Sequence, residues 1–310
     1  MFIFKDISKS NITDGCVICL GNFDGVHLGH AKLISKTKEL AESMGLKAGV
    51  YTFEVNSKII LGNSTISLLT TEEEKNSILS DYGMDFVVCD DFSTVKGLTP
   101  EEFCNYLTEN INIKAVVCGE NYRFGKKACA GPAELTEIMS QKNIICCTVD
   151  EHCIDGKTVS STVIRNMITS GDTEGASKML GYRYFICAEV VHGAALGRTL
   201  GFPTINQYFY GNKTVPAHGV YCTACYFDGK KFYGVTNIGI KPTVTTSQNS
   251  VNAETYIIDF DGDLYGKEIR VEFFKMLRPE IKFNSLDELK KNVLSNIEET
   301  KKYFGKDFSK

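Results

Sequence analysis

The chain has 310 residues, of which 43% are hydrophobic and 23% charged, and its formal net charge is −4. This length is enough for about two domains, since a domain commonly holds roughly 100 to 200 residues. The weak negative charge gives no general attraction to nucleic acid or to an anionic membrane surface, so neither partner is expected. The first residues lack the basic flank and apolar core of a signal peptide, and no apolar run approaches the roughly 18 residues of a membrane helix. We therefore expect a cytoplasmic protein with small-molecule partners, as a monomer or a weak homo-oligomer.

Two patterns follow one another along the chain. Up to about residue 180, short β-rich runs such as CVICL and KAVVCG alternate with helical patterns such as HAKLISKTKELAESMG, which predicts βαβ units around a parallel sheet. From about residue 184, strand-like runs are punctuated by Asp-Gly pairs at 228–229 and 261–262. These pairs are hairpin signals and predict an antiparallel barrel or sandwich. SLDELKKNVLSNIEETKKYF then has helical periodicity. The change of pattern near Gly181 predicts domains at 1–182 and 183–310.

Most of the twelve cysteines are predicted to be small core residues rather than zinc ligands or disulfides. Both CxxC pairs lie within strand-like runs, where an odd spacing points the two thiols to opposite faces. Cys16, Cys19, His27 and His30 mimic a zinc finger, but only seven residues separate Cys19 from His27. A finger needs about 12 residues there.

The stretch GNFDGVHLGH, residues 21–30, follows the strand-like run CVICL. NFDG predicts a tight turn, and the helix is predicted to begin near His27, which places His27 and His30 in its first turn. Unpaired backbone N–H groups and the helix dipole favour an anion there, and residues three apart share a face. Two imidazoles at this place could donate hydrogen bonds to phosphate oxygens. The local pattern leaves a second interpretation open, in which both histidines only pack at a βα corner.

Two further segments carry candidate ligands. SSTVIRNMITSG predicts a helix with Ser161 or Thr162 at its N-cap and Gly171 near its C-terminus, which puts Arg165 in the first turn. GENYRFG follows the apolar run KAVVC, and the loop after the carboxyl end of a parallel strand is where such sheets bind ligands. Its glycine spacing excludes a P-loop. A capped surface helix and a plain glycine turn are the structural alternatives.

The second half contains GRTLGFPTIN, in which the glycines let the backbone approach a nucleotide. Thr204 and Asn206 lie in a short extended segment of this motif. Their oxygens are candidate ligands of Mg²⁺ and phosphate, because Mg²⁺ prefers oxygen ligands and usually shares them with substrate phosphates. Glu254 is a candidate base, although a lone strand glutamate is more often a solvated surface residue.

Together these motifs resemble the bacterial bifunctional riboflavin kinase/FAD synthetase (FMN adenylyltransferase) family. GNFDGVHLGH is similar to the HxGH motif of nucleotidyltransferases, and ordered matches continue through CGENYRFG, SSTVIR, LGRTLGFPTIN, NIGIKPT, AETYIIDFDGDLYG and LRPEIKF. The resemblance implies an α/β fold, with an N-terminal Rossmann-like nucleotidyltransferase domain and a C-terminal antiparallel β-barrel with a terminal helix. It implies that the C-terminal domain phosphorylates riboflavin to FMN. The N-terminal domain would transfer AMP from ATP to FMN, giving FAD and pyrophosphate.

The resemblance also implies roles for individual residues. His27, His30 and Arg165 would serve adenylyl transfer, and Glu254 would take the proton from the riboflavin 5′-hydroxyl. The residues implied to bind nucleotide or phosphate are Gly21, Asn22, Phe23, Asp24, Gly25, Ser161, Thr162, Gly197, Gly201, Thr204 and Asn206. The residues implied on the flavin side are Asn121, Arg123 and Arg278. Thr204 and Asn206 would also hold the Mg²⁺ that accompanies ATP.

Two departures from the family pattern keep other functions open. Val55-Asn56-Ser57 stands where the family usually has Pro-His-Pro, and Val163 replaces an arginine common in the SSTxIR motif. A riboflavin kinase with a weakened or lost synthetase activity is therefore one alternative. A noncatalytic flavin- or nucleotide-binding regulatory protein is another, although His30 and Glu254 are both present. A related nucleotidyltransferase would not explain the GFPTIN segment, and a dinucleotide-dependent dehydrogenase would need a GxGxxG spacing that the first turn lacks.

Overall fold

The computed structural model describes residues 1–10, 12–54, 66–193, 197, 201–209, 211–241 and 250–305. The chain divides into two compact units, Met1–Ser161 and Thr162–Lys310. The departure at Val55, Asn56 and Ser57 lies outside the described residues, as does part of the GRTLGFPTIN motif.

The first unit is built from strands and helices that alternate along the chain. Its strands within the described residues are β1 (Phe2–Phe4), β2 (Cys16–Leu20), β3 (Lys47–Phe53), β4 (Phe86–Asp90), β5 (Ile113–Gly119), β6 (Ile145–Val149), β7 (Cys153–Ile154) and β8 (Lys157–Thr158). Its helices there are α1 (Leu28–Met44), α2 (Glu72–Asp81), α3 (Phe92–Val95), α4 (Pro100–Asn110) and α5 (Pro132–Ser140).

Six of these strands form one parallel sheet in the order β1-β4-β3-β2-β5-β6, which confirms the predicted architecture. All five residues of β2 are buried, as expected for a central strand covered on both faces. The order reverses at β2, because β3 lies on one side of it and β5 on the other. Ligands of such sheets bind beyond the carboxyl ends of the strands at this reversal. The turn that begins at Gly21 and the loop that follows Gly119 both start there.

The second unit is an antiparallel barrel with flanking helices. Its elements within the described residues are α6 (Ser161–Thr169, whose first residue closes the first unit), α7 (Thr173–Leu180), β9 (Phe185–Glu189), β10 (Thr204–Tyr208), β11 (Gly219–Phe227), β12 (Lys230–Lys241), β13 (Ser250–Ile257), β14 (Glu268–Pro279) and α8 (Leu286–Phe304). The strand order is β10-β13-β12-β11-β14-β9. The two edge strands meet, since the Val191 N–H donates to the Asn206 carbonyl at 2.9 Å. The predicted barrel and terminal helix are therefore confirmed.

The two Asp-Gly pairs have different outcomes. Asp228 and Gly229 have φ of 50° and 70° and join the paired strands β11 and β12, as predicted. The hairpin predicted at 261–262 is wrong, because residues 258–267 separate β13 from β14 and these two strands are not neighbours. An Asp-Gly pair reports local turn geometry, whereas the partners of β14, which are β11 and β9, are set by the closure of the barrel.

All twelve cysteines lie within the described residues and are free thiols. Cys16 and Cys19 are completely buried in β2, and their thiols donate to the carbonyls of Asn112 and Gly49. Burial raises the pKa of each of these two thiols to about 12. Both side chains are therefore uncharged packing groups.

Candidate active sites

The turn after β2 is held in place by hydrogen bonds from two other segments of the first unit. The Asp24 carboxylate accepts the Leu69 N–H at 2.7 Å, and the Gly25 N–H donates to the Thr70 hydroxyl at 3.2 Å. The Ser161 hydroxyl donates to the Asp24 carbonyl at 3.0 Å. Asp24 and Ser161, both predicted to bind nucleotide, thus contact each other and fix the shape of the turn.

Two other residues of the turn, Asn22 and Phe23, are fixed by contacts with β3 and with His30. The Thr52 hydroxyl of β3 donates to the Asn22 carbonyl at 3.2 Å, and the Gly21 N–H donates to the Tyr51 carbonyl at 3.3 Å. Phe23 is completely buried with φ of 50°, and its ring lies 5.0 Å from the His30 ring. Phe23 is therefore a packing residue of the turn whose ring supports His30.

His27 and His30 come together at the start of α1, as predicted. His27 is the N-cap residue, and its Nδ1 accepts the His30 backbone N–H at 3.4 Å. An accepting Nδ1 places the ring proton on Nε2, where it can be donated. The two rings stack with centroids 3.8 Å apart. The Nδ1 of His30 is buried and has no hydrogen-bond partner among the described residues.

Both histidines are held neutral by their surroundings. The pKa of His27 is lowered to about 4, mainly by burial; a backbone hydrogen bond opposes this shift and the charge of His152 adds to it. Burial, followed by the charge of His27, lowers the pKa of His30 well below its ordinary value. Two stacked neutral imidazoles can act as hydrogen-bond donors to phosphate without a charged ring in the core.

Gly29 is a position whose size affects the candidate site, and the sequence interpretation did not name it among the site residues. A Cβ at this residue would lie 3.1 Å from Cε1 and Nδ1 of His27. The residue between the two histidines must therefore be small for the His27 ring to keep its place. The signal was present in the sequence as the glycine of HLGH.

The loop after β5 carries Asn121 and Arg123 at the same edge of the sheet. The Asn121 amide donates to the Glu151 carboxylate at 2.9 Å, and Glu151 also accepts from the Thr158 hydroxyl at 3.3 Å. Arg123 donates to the Tyr122 carbonyl at 2.8 Å. Glu151 thus orients Asn121, a link between distant segments that no local pattern indicates.

Helix α6 begins at Ser161, so the prediction of Ser161 or Thr162 as its N-cap residue is wrong. Its first residue is Ser161, so Arg165 lies in the second turn and the prediction of the first turn is wrong. The Arg165 guanidinium donates to the Thr162 hydroxyl at 3.2 Å. Gly171 has φ of 90° just beyond the helix, as expected for a C-terminal glycine. The extra residue at the start follows from the run of two serines, either of which can begin a helix.

In the second unit, Thr204, Asn206 and Glu254 meet on one face of two paired strands. Asn206 lies opposite Glu254 in the register of β10 and β13, and Thr204 is two residues before Asn206. The Thr204 hydroxyl donates to the Glu254 carboxylate at 2.8 Å. Asn252, on the same face of β13, donates to the Asn206 amide oxygen at 3.0 Å. Three predicted residues are therefore brought together, and Asn252 is a supporting residue that sequence interpretation missed.

The other predicted residues of the second unit have different settings. Gly197 accepts the Phe202 N–H at 2.8 Å, and a Cβ on it would lie 2.4 Å from the Phe202 carbonyl oxygen, so only glycine fits. Gly201 has φ of 85°. Arg278 on β14 donates to Asn296 of α8 at 3.4 Å and to the Pro279 carbonyl at 3.2 Å. Burial lowers the pKa of Arg278 from its ordinary value.

Comparison with known proteins matches a family to each half of the chain. A family model described as FAD synthetase matches residues 9–163, and one described as riboflavin kinase matches residues 180–304. A bifunctional riboflavin kinase/FMN adenylyltransferase of Listeria monocytogenes is 32% identical over 99% of this chain and 98% of its own. The chain belongs to the bifunctional riboflavin kinase/FMN adenylyltransferase family. The Bacillus subtilis protein of the same name is 34% identical over 93% of this chain and 92% of its own.

The family membership confirms the predicted resemblance, fold class and pair of transferase activities. A solved structure from Streptococcus pneumoniae, titled as a macrolide-efflux protein, matches with a TM-score of 0.88 and 28% identity. The match covers 97% of this chain and 98% of that one. Among the described helices, none has the length and apolar character that a membrane crossing needs.

Proposed function

We propose that the two activities of the family are divided between the two sites described above. The turn and histidines of the first unit would carry FMN adenylylation, and the Thr204–Asn206–Glu254 face of the barrel would carry riboflavin phosphorylation. The observation that carries this division is the 2.8 Å hydrogen bond from Thr204 to Glu254, which joins the phosphate-binding candidate to the base candidate. We also keep a cytoplasmic location, a monomeric or weakly associated state and the absence of nucleic-acid partners as predictions.

In adenylyl transfer, a phosphate oxygen of FMN attacks the α-phosphorus of ATP, and the bond from that phosphorus to the bridging oxygen breaks to release pyrophosphate. The Nε2–H of His27 and a ring N–H of His30 would donate to the α-phosphate as negative charge grows on its oxygens. Thr162 and Arg165 would bind the departing pyrophosphate. Such chemistry depends on positioning and charge stabilisation more than on a protein nucleophile. Asn121 and Arg123 would lie on the flavin side.

In riboflavin phosphorylation, the 5′-hydroxyl oxygen attacks the γ-phosphorus of ATP and loses its proton to Glu254. The Thr204 hydroxyl holds the carboxylate in a fixed orientation, which a general base requires. Gly197 and Gly201 would let the backbone approach the phosphates, and Arg278 would contribute on the flavin side. ADP leaves when the bond from the γ-phosphorus to the bridging oxygen breaks.

The donor set of the barrel site fits Mg²⁺. A hydroxyl, an amide oxygen and a carboxylate lie together on adjoining strands, at Thr204, Asn206 and Glu254. Oxygen donors are what Mg²⁺ prefers, and it usually completes its shell with substrate phosphates and water. Thr204 and Asn206 would hold the ion, which when bound neutralises charge on the phosphates of ATP. Asn252 keeps the Asn206 amide in one orientation.

The proposal is tested with two variants assayed for both reactions. With riboflavin and MgATP, the natural chain should form FMN and then FAD. Glu254→Gln should lower FMN formation by roughly 10²- to 10⁴-fold, because the amide cannot accept the proton. His30→Ala should lower FAD formation from supplied FMN by roughly 10²- to 10³-fold, the size expected for loss of one donor to a developing charge. The measurement is chromatographic separation of the flavins over time.

Each variant is the control for the other, because each should keep the activity assigned to the other unit. Equal loss of both activities in either variant would contradict the division. FMN formation without any FAD in the natural chain would instead support the alternative of a kinase that has lost its synthetase activity.

A further inference from the structure

The chain that follows β9 is hydrogen-bonded to the residues just before β14. Val190 N–H donates to the Lys267 carbonyl at 2.9 Å, and the Gly266 N–H donates back to the Val190 carbonyl at 3.0 Å. The sequence then continues from Gly193 to the GFPTIN strand that holds Thr204. Residues 190–192 therefore lead from the barrel into the stretch of sequence that carries the glycines at 193, 197 and 201.

An aromatic stack lies next to these hydrogen bonds. The His192 and Tyr265 rings lie with centroids 3.7 Å apart and planes 25° from parallel. Tyr265 sits in a turn that is itself constrained, because its N–H donates to the Asp263 carboxylate at 3.0 Å. Tyr265 belongs to the AETYIIDFDGDLYG motif, and the kinase chemistry proposed above gives its ring no part.

The residues on either side of His192 contact Asn206, the candidate ligand of phosphate, directly. Val191 donates to the Asn206 carbonyl at 2.9 Å. A Cβ on Gly193 would lie 2.4 Å from the Asn206 amide nitrogen, so the Gly193 backbone is packed against that side chain. A displacement of residues 191–193 would therefore move the surroundings of Asn206.

We propose that His192 and Tyr265 form a clamp of positioning residues for riboflavin phosphorylation. The stacked rings hold residues 191–193 in place, so that Gly193 stays against Asn206 and the nucleotide meets a preorganised site. Glycine gives a chain more conformational freedom than any other residue, and freedom lost on binding weakens affinity. The clamp rests on the proposed assignment of the kinase reaction to Asn206 and its neighbours.

The test compares His192→Ala, Tyr265→Ala, the double variant and Tyr265→Phe, which keeps the ring. In riboflavin phosphorylation, each alanine variant should raise KM for MgATP about 2- to 10-fold, the size that loss of one aromatic stack gives. The kcat should change less than about twofold, because Glu254 and Thr204 keep their bond. The double variant should have a KM no higher than that of either single variant, since both single variants remove the same stacking interaction. Tyr265→Phe should keep the natural KM.

The control is Phe232→Ala, which removes a different stack of the same barrel, against Phe227 with centroids 4.5 Å apart. It should leave KM unchanged. Amide hydrogen exchange over residues 190–193 gives a readout without activity, and it should be faster in the two alanine variants than in Phe232→Ala. Unchanged exchange and KM in His192→Ala, or additive effects in the double variant, would overturn the clamp. Failure of the natural chain to phosphorylate riboflavin would reject the proposed function, while the exchange result would still judge the clamp.

Discussion

The neutrality of His27 fixes how the first site can bind an anion. Its Nδ1 accepts the His30 N–H, so the Nε2–H is the ring proton that remains to be donated. Burial would penalise a charged His27 ring, and the charge of His152 would oppose it as well. The pair is therefore suited to hydrogen-bond donation to a transferring phosphate rather than to proton uptake near neutral pH.

This neutrality predicts a loss of stability in acid. The pKa of His27 is about 4 in the folded chain and about 6.5 when unfolded, so between these values the unfolded state binds more protons. The free energy of unfolding should therefore fall as pH decreases from 6.5 toward 4, by on the order of 2 to 3 kcal/mol for this residue. His27→Gln should lose that part of the pH dependence in urea unfolding at pH 7 and pH 4.5. An NMR titration giving His27 a pKa near 6.5 would contradict the prediction.

In helix α1, the residue that would best stabilise the helix at position 29 differs from the residue that leaves room for the His27 ring. At a helical position, alanine favours the helix over glycine by about 0.5–1 kcal/mol. Gly29→Ala would nevertheless place its Cβ 3.1 Å from the His27 ring, which must then shift. We expect unchanged or slightly higher stability together with a fall of about tenfold in FAD formation, because small displacements at a reacting centre are costly. Riboflavin phosphorylation by the same variant is the control, and an unchanged FAD rate would contradict the steric argument.

The elements also show what sequence can and cannot predict. The start of α1 near His27 and the β11–β12 hairpin at Asp228-Gly229 follow from local turn and cap chemistry, and both were predictable. The Asn121–Glu151 bond joins residues 30 apart, and the Asn206–Asn252 bond joins residues 46 apart. Such pairs depend on which strands become neighbours. Periodicity identifies a strand but not its partner, so these supporting residues could be found only in the fold.

At the scale of the whole chain, the sequence pattern and the packing give different boundaries between the two domains. The change of pattern predicts a boundary near residue 182, whereas the compact units meet at 161 and 162. The family models end at 163 and begin at 180, so most of helices α6 and α7 lies between them. These helices carry Arg165, a residue proposed for adenylyl transfer, although they belong to the unit that contains the barrel.

Their packing predicts that residues 162–182 stabilise the barrel. Helix α7 contacts β14, and the Thr173 hydroxyl donates to the Phe274 carbonyl at 3.1 Å. Met179 and Leu180 of α7 are buried, and full burial of such a side chain contributes about 1.5–3 kcal/mol. A fragment of residues 162–310 should therefore unfold at a clearly higher urea concentration than a fragment of residues 183–310, followed by far-UV circular dichroism. The longer fragment should also phosphorylate riboflavin at the rate of the full chain. Equal midpoints for the two fragments would show that α6 and α7 add nothing to the barrel and would favour the boundary at 182.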